Sequence, residues 1–226
     1  MPRMGTLHLV RHAQASFGSD DYDQLSPLGW QQAQRLGEHL HAHGLEVGAV
    51  LCGTLRRHHQ TWEGMRRAWP SLPEPVVWPG LDEYDSAALI EALHAPCAGD
   101  PHTPQGYRAH FRLLRDALRR WMDGVITPRG MPPYEDWRRA ALEVLDHARQ
   151  QHAQGELLVI SSGGPIATLV GHLLGVQPET TVELNLRLRN TALSEVAVTP
   201  KRCALVSFNA LPHLSAPQHR DWITYA

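Results

Sequence analysis

The amino-acid sequence predicts an α/β fold with a largely parallel sheet. Three observations point there: short apolar runs alternate with helix-periodic segments through the first eighty residues, the same strand-to-helix unit returns near residues 155–175, and 226 residues suffice to bury a substantial single core.

The elements follow in order. TLHLV, Thr6 to Val10, is a short apolar run that reads as a buried strand, and it ends abruptly in Arg11 and His12. In SPLGWQQAQRLGEHLHAHG, Ser26 supplies an N-cap and Pro27 suits the first turn. Leu28, Ala33, Leu36 and Leu40 then recur at helical spacing, and Gly44 ends the helix. VGAVLCG is a second buried strand, TLRRHHQTWEGMRRAW a helix closed by Pro70, and EPVVWPG a third strand. From about Ala87 to Ala153 the pattern is mostly helical, interrupted by the turn-rich HAPCAGDPHTPQG and TPRGMPPYED. Residues from about 87 to 136 are therefore expected to form a helical cap inserted over the sheet of one domain spanning 1–226. GELLVISSGGPIATLVGHLLG restores the strand-to-helix unit. TVELNLRLRN, ALSEVAVTP and RCALVSFNAL alternate in polarity and are expected to be three antiparallel edge strands.

Composition narrows the function. A net charge of −2 leaves no basic footprint for nucleic acid and no polybasic patch for a membrane, so an anionic ligand must be held by a local constellation. Cys52, Cys97 and Cys203 are odd in number, widely spaced and in no paired motif, which argues against a disulfide framework or a thiolate metal site. His39 and His43 lie four apart on one helix face but lack a third ligand, so no metal is expected. Asp20, Asp21 and Asp23 are explained by turn chemistry. The N-terminus turns polar too early for a secretory signal, and no run of about 18 apolar residues occurs; a cytoplasmic location is expected.

In open α/β sheets, ligands sit beyond the carboxyl ends of the strands. Four stretches converge there: Arg11–His12; CGTLRRHHQT with Arg56 and Arg57; LDEYD with Asp82, Glu83 and Asp85; and SSGGPIA, where Pro165 opens a helix. Arginine forks, a histidine, a carboxylate and a glycine-rich helix start describe a pocket for a small multiply charged anion, and phosphate fits it best. A neutral histidine can accept a phosphoryl group, and a protonated carboxylic acid can hand a proton to the departing alkoxide.

These segments resemble the histidine phosphatase superfamily, which includes the cofactor-dependent phosphoglycerate mutases. LVRHAQAS is similar to its arginine-histidine signature, LSPLGWQQA to its helix opening, CGTLRRHHQTW to its second arginine segment, LDE to its acid-bearing loop and SFNALPHL to its C-terminal stretch. The resemblance implies a phosphoglycerate mutase-like three-layer α/β/α sandwich. It implies that His12 is phosphorylated, that Glu83 donates the proton, and that Arg11 and Arg57 bind phosphate oxygens. Ser162 and Gly163 fall in the family's glycine-rich phosphate-binding run. No cofactor is implied, and the partner is a small phosphorylated substrate or phosphate ion.

Two departures stand out. Members usually carry a second histidine in a Ser-His-Gly-Gly run, whereas this chain has ISSGGP with Ser162 in that place; Ala13 replaces a usual glycine. A hydroxyl donates one hydrogen bond but cannot become cationic. Loss of one such donor costs about 100- to 1000-fold in rate by analogy with oxyanion holes. Two functions follow: a phosphatase acting on a small phosphomonoester through His12, or a catalytically impaired phospho-ligand-binding or regulatory protein.

Overall fold

The computed structural model describes residues 4–16, 23–94 and 103–225. Asp20, Asp21 and Cys97 lie outside them. Among the described residues, six strands form one sheet: β1 (Gly5–Arg11), β2 (Ala49–Cys52), β3 (Pro75–Val77), β4 (Glu156–Ser161), β5 (Leu193–Val198) and β6 (Cys203–Ala210), in the order β3-β2-β4-β1-β5-β6. The first four run parallel, and β5 and β6 join antiparallel at one side.

Strand alternation divides the core into two halves. Val10, Val50, Cys52, Leu158 and Ile160 face one side, where they pack on Leu36 and Leu40 of α1 (Pro27–Ala42) and on Trp62 and Met65 of α2 (Arg56–Ala68). Leu7, Leu9, Leu51, Leu157 and Val159 face the other side. They meet Val144, Leu145 and Ala148 of one helix and Ile166, Leu169 and Val170 of another. The result is a three-layer sandwich with a mostly parallel sheet in its middle.

The helix ends follow sequence chemistry. Ser26 Oγ accepts from Gly29 N at 3.0 Å with Pro27 in the first turn, and Gly44 takes φ +70° just after the C-cap. α2 has no capping side chain of its own; Asp23 supplies one from a preceding loop, accepting from Arg56 N at 2.8 Å.

α3 (Ser86–Glu91), α4 (Pro104–Met122) and α5 (Tyr134–Gln151) fill the region expected to be mostly helical. Leu89, Leu114, Ala117, Leu118 and Trp121 form an apolar cluster apart from the sheet core. α6 (Gly163–Leu174) follows β4 directly. No helix among the described residues is long and apolar enough to cross a membrane.

One expected edge strand is a helix. TVELNLRLRN, read as alternating, lies largely in α7 (Pro178–Arg187), with Pro178 in its first turn. The alternation has a helical cause: Val182 and Leu186, four apart, pack in the α3–α4 cluster, whereas Leu184 and Leu188, also four apart, pack against the sheet core. A helix wedged between two apolar bodies needs two stripes, and two stripes offset by two residues mimic a strand.

α1 and α2 cross closely because each offers a glycine. A Cβ on Gly37 would lie 2.2 Å from Met65 O, and one on Gly64 would lie 2.6 Å from the Ala33 Cβ. Gly37→Ala should gain about 1 kcal/mol of helix propensity. It nevertheless drives a methyl into backbone, and overpacking of that kind costs about 1–3 kcal/mol. Thermal unfolding of Gly37→Ala is expected at a lower melting temperature than the parent, and an unchanged or higher value would contradict this packing.

Candidate active site

The parallel strands end side by side, with Arg11 of β1 opposite Ser161 of β4, and Cys52 of β2 opposite Ile160. The residues immediately beyond them therefore gather at one rim. His12 N donates to Ser161 O at 2.8 Å. Ala13 N donates to Thr61 Oγ1 at 3.0 Å, and Thr61 Oγ1 donates to Arg57 O at 2.7 Å, which ties the first turn of α2 to the end of β1. Thr191 holds φ at 55°, in the left-handed region unfavourable to a β-branched residue, while its N–H donates to Arg11 O at 3.1 Å.

A cavity of about 130 Å³ opens at this rim, lined by Arg11, His12, Arg57 and Glu83 together with Tyr84, His110, Phe111 and Leu114. A single water needs about 10–15 Å³ of such space, so the cavity has room for a phosphoryl group and part of the molecule that carries it. Four residues selected from sequence thus share one wall. Ser162 and Gly163 do not: both are buried behind it, with Ser162 at the N-cap of α6 and Gly163 against Asn185, whose Oδ1 would lie 2.4 Å from a Cβ there. Arg56 lies on the exposed side of α2.

The protonation of His12 follows from its contacts. Nδ1 lies 2.8 Å from Ala13 O, and a carbonyl only accepts, so Nδ1 carries the proton and Nε2 keeps its lone pair. Burial, reinforced by the charges of Arg57 and Arg11, holds the imidazole well below its ordinary pKa, and it stays neutral. Glu83 shifts the other way. Its loss of water raises its pKa against the opposing pull of Arg57, of Gly164 N–H and of Arg11. Both carboxylate oxygens of Glu83 accept from Gly164 N, at 3.1 and 3.2 Å, and a Cβ on Gly164 would stand 2.2 Å from Oε1. Only glycine lets the helix start approach the carboxyl this closely.

The arginines are held by oxygen acceptors. Arg57 Nη1 pairs with Asp23 Oδ1 at 2.7 Å, and Arg11 Nη1 donates to the carbonyls of Leu188 and Tyr225. Asp23, read from sequence as a turn residue, therefore caps α2 and orients its arginine. No local signal marks it, because the contact spans 34 residues. His58, next to Arg57, is fully buried, with Nε2 2.7 Å from Ser162 Oγ. Its signal was present: His58, Trp62 and Met65 fall on one helical face, and the latter two are core.

A family model described as histidine phosphatase superfamily (branch 1) matches residues 7–211. The chain belongs to that superfamily. Its class of chemistry is phosphoryl transfer of the phosphatase or mutase kind. Solved structures share its fold. A phosphoserine phosphatase from Entamoeba histolytica in complex with 3-phosphoglyceric acid is 19% identical with a TM-score of 0.65, covering 93% of this chain and 100% of that one. A mycobacterial glucosyl-3-phosphoglycerate phosphatase with inorganic phosphate is 20% identical at a TM-score of 0.64, covering 93% and 100%. Phosphoglycerate mutase from Bacillus anthracis is 14% identical at 0.63, covering 94% and 96%. No curated protein sequence matches the chain.

Three buried histidines of this superfamily member set a pH dependence of stability. His12 and His58 are held well below 6.5, and His213, which meets Thr191 Oγ1 at 2.9 Å, is pushed down to about 3 by burial and by neighbouring His39, Arg35 and His219. Below pH 6.5 the unfolded chain binds protons that the folded chain refuses, so stability falls with pH, by about 1.4 kcal/mol per unit for each such group. Glu83, with its raised pKa, acts oppositely but is one group against three. Urea midpoints are expected to fall between pH 6.5 and 5, and less steeply in His213→Asn. A midpoint constant over that range would contradict the burial described.

Proposed function

We propose that the protein is a phosphatase that hydrolyses a small phosphomonoester through a phosphohistidine at His12. One observation carries the reading: a neutral imidazole with a free Nε2 lone pair shares a cavity roomy enough for a phosphoryl group with two buried arginines and a carboxyl of raised pKa.

In this reading Arg11 and Arg57 neutralise the phosphoryl oxygens, and Nε2 of His12 attacks phosphorus as the ester bond breaks. Protonated Glu83 gives its proton to the leaving oxygen. A water then attacks the phosphohistidine, Glu83 takes its proton, and phosphate and neutral His12 are regenerated. The arginines supply the positive field. Hydrolysis is favoured over mutase chemistry because a mutase must shield its phosphohistidine from water, and Ser162 replaces the histidine usual in the superfamily. The cap, residues about 87–136, selects the leaving group; Phe111 and Leu114 in the cavity lining favour one with an apolar face. The structures similar to this chain include proteins named for phosphoserine and glucosyl-3-phosphoglycerate.

Hydrolysis of p-nitrophenyl phosphate and of an alkyl phosphate tests the reading. The parent should hydrolyse both, and His12→Ala should lose about 1000-fold or more. Glu83→Gln should lose about 100-fold on the alkyl ester and much less on the nitrophenyl ester, whose leaving group needs no proton. Acid-labile phosphate should be trapped on the parent and not on His12→Ala. No turnover by the parent, with phosphate still raising its melting temperature, would favour the phospho-ligand-binding reading. Equal activity in the parent and His12→Ala would remove His12 from the mechanism.

A further inference from the structure

Twelve residues line the cavity, and Arg11, His12, Arg57 and Glu83 are the four that phosphoryl transfer uses. The other eight are what the rest of a substrate must meet, and their chemistry describes it. Among the described residues, Arg11 and Arg57 are the only permanent cations in that lining, and Arg57 already pairs with Asp23. A phosphoryl dianion matches them. Residues 17–22 and 95–102 contain no lysine or arginine to add. His110, also in the lining, loses charge rather than gaining it, because partial burial lowers its pKa. A second negative charge on the leaving group would therefore leave water with no cation to receive it.

Tyr84 stands where the leaving oxygen must go. A Cβ on Gly164 would lie 2.2 Å from Glu83 Oε1 and 2.7 Å from Tyr84 Cε1, so the acid's oxygen and the edge of the ring lie side by side. An acid gives its proton only to an oxygen within hydrogen-bond reach, which brings the carbon on that oxygen to the ring. The ring is fixed in place. Asn185 Nδ2 donates to its hydroxyl at 2.7 Å, and Trp121 and Trp137 meet it edge-on with centroids at 6.3 and 6.2 Å. Phe111 is backed by Tyr107 at 4.6 Å, and Leu114 and Leu186 add aliphatic surface to the same lining. A surface held before the ligand arrives costs little ordering on binding.

We propose that the substrate is the phosphomonoester of an uncharged alcohol bearing a flat apolar group such as an aromatic ring, with Tyr84 and Phe111 as the residues that select it. The inference deepens the phosphatase reading above and rests on it. Carboxylate-bearing esters such as phosphoserine and 3-phosphoglycerate are then poor substrates, since the lining does not match their further negative charge.

Benzyl phosphate and its 4-carboxylated counterpart, whose leaving alcohols differ little in acidity, separate charge from reactivity. The parent should turn over benzyl phosphate with kcat/KM about 10- to 100-fold above the carboxylated ester and about 10-fold above ethyl phosphate. Phe111→Ala should shrink the benzyl-to-ethyl ratio severalfold, mainly through KM. His110→Arg, which sets a guanidinium in the lining at a half-buried position, should narrow the gap between benzyl phosphate and the carboxylated ester about 10-fold. Should Phe111→Ala fail to fold, His110→Arg and the substrate ratios carry the test. A carboxylated ester turned over as well as benzyl phosphate, ethyl phosphate as good as benzyl phosphate, or a gap unmoved in His110→Arg would overturn the inference. A parent that hydrolyses none of these esters, or one matched by His12→Ala, would instead defeat the phosphatase reading. Calorimetric binding of benzylphosphonate and 4-carboxybenzylphosphonate, which needs no turnover, then decides the preference: tighter binding of benzylphosphonate by a similar factor supports it, and equal affinity overturns it.

Discussion

Two guanidinium groups, Arg11 and Arg57, are 9% and 6% exposed and stand against the same cavity as His12. Positive charge withdrawn from water in this way is tolerable only where oxygen acceptors hold it, and here they do: Asp23 for Arg57, the Leu188 and Tyr225 carbonyls for Arg11. Burial first, and the same field second, set the state of the imidazole beside them. Protonated His12 would be a third cation in a shielded space, so the ring remains neutral and keeps a lone pair for chemistry. Electrostatic matching to a phosphoryl dianion and nucleophilicity of the histidine are thus two outcomes of one charge arrangement.

Backbone geometry makes that arrangement possible. Register pairs Arg11 with Ser161, so a residue at the end of β1 and a helix starting after β4 must meet. Glycines then set the last ångströms, Gly164 admitting Glu83 and Gly53 admitting His58 and Asp82. The strained Thr191 backbone beside Arg11 belongs to the same economy, since the sheet and the His213 contact hold a conformation that the residue alone would avoid.

Much of this was legible in the sequence. The strand ending in Arg11 and His12, the Ser26 cap, and the order of parallel strands and helices are local patterns, and local patterns survive folding. The α7 segment was not legible, because Val182 and Leu186 serve one apolar body while Leu184 and Leu188 serve another, and periodicity cannot state how many bodies a helix touches. Asp23 escaped because its meaning lies in a guanidinium 34 residues away. The helix start SSGG was expected to meet the ligand directly, whereas Ser162 lies behind the wall with His58 as its partner; a motif gives residue types, not which of them faces the cavity.

The most direct measurement of the central claim is NMR of the protein labelled with ¹⁵N-histidine, with the His12 signals assigned by their absence in His12→Asn. A neutral ring protonated at Nδ1, and no titration between pH 7 and 5.5, is the predicted result. A His12 that titrates near its ordinary value, or that carries its proton at Nε2, would contradict the account.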